Sequence, residues 1–99
     1  MLSQSEILQY LRDNREMIGT RFGIRRIGLF GSFARNEQTE NSDVDILIDM
    51  QDGVDDLFGK RLSLSAFLER RFERHVDVCY EKALRPVFRD MVRKEVIYA

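Results

Sequence analysis

The stretch that decides the fold is Gly31-Ser-Phe-Ala-Arg-Asn-Glu-Gln-Thr-Glu-Asn-Ser-Asp-Val-Asp45. It follows the apolar run Ile27-Gly-Leu-Phe30, which predicts a buried strand ending in a tight turn at the glycine. The polar residues up to Ser42 indicate a loop. Apolar residues from Val44 to Ile48 then predict a second strand, buried on both faces. The two predicted strands are thus joined by about 13 residues.

Outside this stretch the apolar residues recur at helical spacing, except in one short alternating segment. The first predicted helix opens on the capping box Ser3–Glu6 and ends between Gly19 and Gly23. The two strands follow it. After them we predict a helix over 57–74, a strand over 75–80 and a last helix over 84–96 with Pro86 in its first turn. Three strands with helices packed on them predict a small α/β or α+β layer with a mixed sheet. The length predicts one domain over residues 1–99.

The composition excludes several function classes. Sixteen basic residues against 17 acidic ones leave a net charge of −1, which argues against direct binding of long nucleic acid. The single cysteine, Cys79, excludes an internal disulfide. The sequence has neither a charged, apolar leader nor a run of about 18 apolar residues. We therefore expect a cytoplasmic protein that does not enter membranes.

Gly31 and Ser32 form a candidate phosphate-binding turn. A chain that leaves a strand and enters a helical turn exposes backbone N–H groups, which attract phosphate. The Ser32 hydroxyl can donate a further hydrogen bond to a phosphate oxygen. The alternative is an ordinary strand-to-helix turn with a serine cap.

Three aspartates form a candidate metal site. Asp43 and Asp45 are two residues apart at the start of a strand, so their side chains share one face of the sheet. Their mutual repulsion would be relieved by Mg²⁺, which takes carboxylates, substrate phosphates and water as ligands. Asp77 lies within an apolar strand, and would complete the site if that strand is adjacent. The alternatives are a turn cap at Asp43, a solvent-facing position at Asp45 and a salt-bridged rim residue at Asp77.

The stretch from Gly31 to Asp45 resembles the signature of the DNA polymerase β-type nucleotidyltransferase superfamily. The whole chain resembles the minimal nucleotidyltransferases of bacteria and archaea, which implies the nucleotidyltransferase fold. The resemblance implies that Gly31 and Ser32 hold a nucleoside triphosphate and that Asp43 and Asp45 are catalytic and bind Mg²⁺. Asp77 would complete a site for two Mg²⁺ ions. One departure is Asn36, where the family usually has glycine, although asparagine tolerates left-handed geometry better than most residues.

Members of that family are often antitoxins that pair with a helical HEPN-domain ribonuclease toxin. The resemblance implies transfer of AMP from ATP to a tyrosine of such a toxin, within a hetero-oligomer. A chain of 99 residues has no additional domain to hold an acceptor, so the partner must supply much of the acceptor site. Two alternatives stay open: an antitoxin that acts by binding alone, and transfer to a small molecule such as an aminoglycoside.

Overall fold

The computed structural model of the chain describes residues 2–99. Its elements, in chain order, are α1 (Gln4–Asp13), α2 (Arg15–Phe22), β1 (Ile24–Phe30), β2 (Val44–Met50), α3 (Leu57–Phe72), β3 (Val76–Tyr80), a short 3-10 turn (Glu81–Ala83), α4 (Pro86–Glu95) and β4 (Ile97–Tyr98). None of the helices within this part of the chain combines the length and the apolar character that a membrane span requires.

The four strands form one mixed sheet in the order β3-β2-β1-β4. β1 pairs with β2 and with β4 in antiparallel fashion, whereas β2 and β3 are parallel. The parallel pair follows from the crossover through α3, because parallel strands need a long connection. The predicted mixed α+β sheet is confirmed, but the predicted number of three strands is wrong. The fourth strand is only two residues long, too short to show an alternating pattern.

The N-terminal helical region differs from the single helix that the sequence predicts. The Ser3 side chain accepts a hydrogen bond from the Glu6 N–H at 3.2 Å, so the predicted cap is present. The helix is interrupted at Asn14, whose side chain donates to the Tyr10 carbonyl at 2.8 Å. An asparagine that bonds the backbone in this way competes with helix continuation. α2 then ends at Gly23, which has a left-handed φ of +70°.

The sheet is covered by helices on both faces. On one face the main core joins α1, α2 and α3 to the inward residues of the strands, among them Leu11, Ile46 and Leu64, all fully buried. On the other face Phe30 and Leu47 pack against Val92 of α4 in a smaller cluster. Because side chains alternate along a strand, Asp45 projects toward the same face as Leu47. The acidic residues of β2 therefore lie on the side of the sheet that α4 covers only in part.

Candidate active site

Asp45 and Asp77 come together through the pairing of β2 with β3. They are register partners in the parallel pair, so their side chains emerge side by side on the α4 face of the sheet. Asp43 lies just before β2 and is exposed. The Val44 N–H donates to the His75 carbonyl at 3.0 Å, which joins the start of β2 to the residue before β3. The prediction that the Asp77 strand lies beside the Asp43–Asp45 strand is confirmed.

The electrostatics of this corner are dominated by uncompensated negative charge. The pKa of Asp45 is raised to about 6, first by burial and then by the charges of Asp77, Asp43 and Glu95. Only Arg35 opposes this rise. Burial and like charges both disfavour an ionised carboxyl group. A cation placed among these side chains would relieve the repulsion that raises the Asp45 pKa.

The carboxylates fit Mg²⁺ by their chemistry, because this cation prefers hard oxygen ligands and commonly takes one or two carboxylates. Their spacing is looser than that of a formed metal centre. Within residues 2–99, no group of three or more His, Cys, Asp or Glu side chains is close enough to hold a metal ion as it stands. The metal site of Asp43, Asp45 and Asp77 therefore stays a prediction, and substrate phosphates or water would have to complete the coordination.

Gly31 ends β1 with a φ of +77°, in the left-handed region. A Cβ atom at this position would lie 2.9 Å from the Asp45 Cγ and would overlap its carboxylate. The glycine is therefore required both by the backbone conformation and by the closeness of the acidic site. Sequence reasoning predicted a tight turn here with a close backbone approach, and the structure identifies the neighbour as Asp45.

The chain after Gly31 makes one helical turn, as the sequence predicts. The Arg35 N–H donates to the Gly31 carbonyl at 3.2 Å, and the Glu37 N–H donates to the Ser32 carbonyl at 2.9 Å. Ser32 is half-buried at the start of this turn. Asn36 has a φ of +57°, the left-handed conformation expected of a residue standing in for glycine.

Two side chains from distant parts of the chain hold this turn and the loop that follows it. Arg74 donates from Nη1 to the carbonyls of Thr39 at 3.1 Å and Ser42 at 2.9 Å, and its guanidinium lies over the Phe33 ring. Gln4 donates from Nε2 to the Ala34 carbonyl at 2.8 Å. Sequence reasoning missed both residues, because hydrogen bonds to loop carbonyls leave no pattern in the sequence.

Glu95, in the last turn of α4, reaches the same turn from the other side. Its Oε2 accepts a hydrogen bond from the Gly31 N–H at 2.5 Å. Arg35 donates from Nη1 to both Glu95 oxygens, at 3.0 and 3.2 Å, and from Nε to Glu37 at 2.8 Å. Arg35 thus forms ion pairs with both Glu95 and Glu37. Glu95 was missed, since a lone glutamate in a polar helix end carries no signal.

A cleft of about 290 Å³ runs between this acidic corner and α4. Asp45 and Asp77 of the sheet line it, together with Phe88, Met91 and Glu95 of α4. These two apolar side chains are 45% and 60% exposed, which leaves an open apolar wall beside the carboxylates. The cleft can thus accept a charged group and an apolar group next to each other.

Comparison with known proteins agrees with this geometry. The model of the family described as "Nucleotidyltransferase domain" matches residues 6–99. The chain belongs to this family. This nucleotidyltransferase is 37% identical over 98 residues to the protein adenylyltransferase MntA of Thermococcus cleftensis, a match that covers 99% of the chain and 97% of the relative. A candidate protein adenylyltransferase of Methanocaldococcus jannaschii is 32% identical over 99 residues, with 99% of each protein covered.

Solved structures show the same fold as this nucleotidyltransferase. A candidate minimal nucleotidyltransferase superposes with a TM-score of 0.72 at 34% identity, covering 91% of the chain and 93% of the neighbour. A toxin–antitoxin structure with AMP-PNP superposes with a TM-score of 0.68 at 27% identity, covering 98% and 72%. The family and the fold that the sequence indicated are both confirmed.

Proposed function

We propose that this nucleotidyltransferase is an Mg²⁺-dependent protein adenylyltransferase that transfers AMP from ATP to a tyrosine of a HEPN-domain toxin and so neutralises it. The observation that supports this most strongly is the convergence of Asp45 and Asp77 beside the Gly31–Ser32 turn. The relatives named as adenylyltransferases and the toxin–antitoxin structure with AMP-PNP also support the proposal.

In this proposal the nucleotide lies along the turn. Gly31 and Ser32 hold the phosphates of ATP through backbone N–H groups and the Ser32 hydroxyl. Asp43, Asp45 and Asp77 would hold Mg²⁺, two ions when the site is full. When bound, the metal would supply Lewis-acid chemistry that lowers the pKa of the acceptor hydroxyl and offsets charge on the phosphates.

The reaction needs little covalent chemistry from the protein. The acceptor oxygen forms a bond to the α-phosphorus of ATP while the bond from that phosphorus to the β-phosphate oxygen breaks. Pyrophosphate leaves, and the proton of the acceptor hydroxyl passes to solvent water. The contribution of the chain is to position the reactants and to present preorganised charges, which is the usual source of rate enhancement in phosphoryl transfer.

The acceptor comes from a second protein in this proposal. The cleft of about 290 Å³ is short and open at the α4 side, where Phe88 and Met91 are exposed. Such an apolar wall suits an aromatic side chain whose hydroxyl points at the carboxylates. We accordingly propose a cytoplasmic hetero-oligomer of this domain, residues 1–99, with its toxin.

Incubation of the chain and its candidate toxin with labelled ATP and Mg²⁺ tests the proposal. We expect label on the toxin, and its loss when Asp43→Asn and Asp45→Asn are combined. Asp49→Asn is the matched control, since Asp49 lies on the same strand but pairs with Arg25 at 2.8 Å, away from the cleft. Neutralisation without label would support binding alone as the mechanism. Label on an aminoglycoside in the absence of a toxin would support a small-molecule acceptor.

A further inference from the structure

The Gly31–Ser32 turn already holds an anion, and that anion belongs to the chain itself. The Glu95 Oε2 accepts the Gly31 N–H at 2.5 Å, and because the acceptor is a carboxylate this hydrogen bond is charge-assisted. The same carboxylate receives both contacts from Arg35 Nη1. A backbone N–H beside a guanidinium is the kind of donor pair that binds a phosphate oxygen.

The position of Glu95 is otherwise unfavourable for a carboxylate. It is the last residue of α4, where the helix dipole presents its negative end. It also lies near Asp45, whose pKa it helps to raise. Its charge is compensated by Arg35 and by the Gly31 N–H, and that N–H is one of the groups that hold the phosphates of ATP in the proposed function.

We infer that Glu95 occupies the place of a nucleotide phosphate at the Gly31–Ser32 turn and must be displaced before a triphosphate can bind there. This inference rests on the proposed function, in which that turn binds ATP. One N–H cannot serve two strong acceptors at full strength, and a carboxylate repels a triphosphate at this distance. Displacement releases the Gly31 N–H and the Arg35 guanidinium together. Glu95 thus acts as an internal competitor that sets how tightly the nucleotide binds.

Glu95→Gln and Glu95→Ala test this role. Glutamine keeps the shape and one acceptor oxygen but removes the charge, and alanine removes the competitor altogether. Because the charge-assisted hydrogen bond of Glu95 to the turn must be broken before a phosphate can bind, we expect both variants to bind AMP-PNP with Mg²⁺ roughly tenfold more tightly than the wild type, which corresponds to about 1.4 kcal/mol. Isothermal titration calorimetry on the full chain measures this change in Kd.

Glu37→Gln is the matched control. Glu37 also pairs with Arg35, at 2.8 Å, but its contact is with Nε and does not involve Gly31. Its loss should leave the Kd for AMP-PNP within about twofold of the wild-type value, as expected for an exposed ion pair. Tighter AMP-PNP binding in the Glu95 variants but not in Glu37→Gln would therefore come from release of the Gly31–Ser32 turn. It would not come from a general loss of negative charge around Arg35.

The Gly31 amide gives a readout that does not depend on activity. Its proton resonance should move upfield in Glu95→Gln, because the short charged hydrogen bond is lost, and the wild-type resonance should shift when AMP-PNP is added. Weaker or unchanged AMP-PNP binding in both folded Glu95 variants would overturn the inference and leave the proposed function standing. Failure of the wild type and of every variant to bind AMP-PNP would overturn both.

Discussion

Asp45 and Asp77 are register partners on the adjacent parallel strands β2 and β3. The sheet therefore holds two acidic groups side by side, and burial, followed by the charge of Asp77, raises the pKa of Asp45 to about 6. Such a site trades stability of the fold for the ability to bind a cation.

We predict that Asp45→Asn stabilises the protein at pH 7.5 without divalent cations while abolishing transfer. The folded pKa is about 6, so between about pH 4 and pH 6 the folded state retains a proton that the unfolded chain releases. Stability contributed by this group is therefore lost as the pH rises through that window. After discounting for solvent screening of a half-exposed group, we expect a gain of about 1 kcal/mol, or several degrees in Tm.

Thermal melts of both proteins between pH 4 and pH 8 measure this gain. The difference in Tm between Asp45→Asn and the wild type should shrink toward pH 4, where both side chains are uncharged. A difference that is equal at all pH values, or absent at pH 7.5, would contradict the predicted origin.

Mg²⁺ should stabilise the wild type in a pH-dependent way. Binding requires ionised carboxylates, so the rise in Tm caused by Mg²⁺ should be largest above about pH 6 and should fade below it. Asp45→Asn should lose most of this response, and Asp49→Asn should keep it. An equal response from all three proteins would place the bound cation elsewhere.

Gly31→Ala should reduce both stability and transfer. The left-handed backbone lowers the free energy of unfolding of the variant by about 1–2 kcal/mol. The overlap of the new methyl group with the Asp45 carboxylate lowers it further. Gly53→Ala is a matched control, since Gly53 has a φ of +78° but no atom within 4 Å of the added Cβ. Denaturant unfolding of both variants separates the effect of the overlap from that of the backbone. We expect the free energy of unfolding to fall more in Gly31→Ala than in Gly53→Ala. Equal losses would show that backbone strain alone explains the requirement for glycine.

Arg74→Ala should loosen the loop that precedes Asp43 and Asp45. The variant removes both hydrogen bonds to the Thr39 and Ser42 carbonyls, at a net cost of about 1–2 kcal/mol. Hydrogen exchange of the amides over 37–43 should accelerate, and the KM for ATP should rise severalfold. Arg71→Ala provides the comparison, because the Arg71 guanidinium lies over the Tyr10 ring of α1. Unchanged hydrogen exchange over 37–43 in Arg74→Ala would show that Arg74 does not hold this loop in place.

The parts of the site that the sequence could predict are those whose chemistry shows in local patterns. Gly31, Ser32, Asp43 and Asp45 combine a special turn with polar residues at a strand start, and Asp77 interrupts an apolar strand. The roles of Arg74 and Glu95 arise from tertiary packing, which brings an α3–β3 junction and a helix end against one loop. No periodicity in the sequence reports such contacts.

The same limit applies to the fold. Two apolar runs and one alternating segment predicted the three longer strands, and helical spacing predicted the helices that cover them. The break at Asn14 depends on one side-chain hydrogen bond, and β4 depends on pairing with β1. Elements of this kind are decided by a few contacts that form only in the folded chain.

The crossover through α3 also determines when, during folding, the two facing carboxylates meet. β1 and β2 form a local antiparallel pair, whereas β3 reaches β2 only after the long connection through α3 and then forms the edge of the sheet. Closing that connection costs more chain entropy and brings Asp77 against Asp45 in the same step. We expect β3 to dock late and to open early. A cation that binds both side chains would then stabilise the docked β3 strand. The cation site would therefore form only in a chain whose sheet is complete.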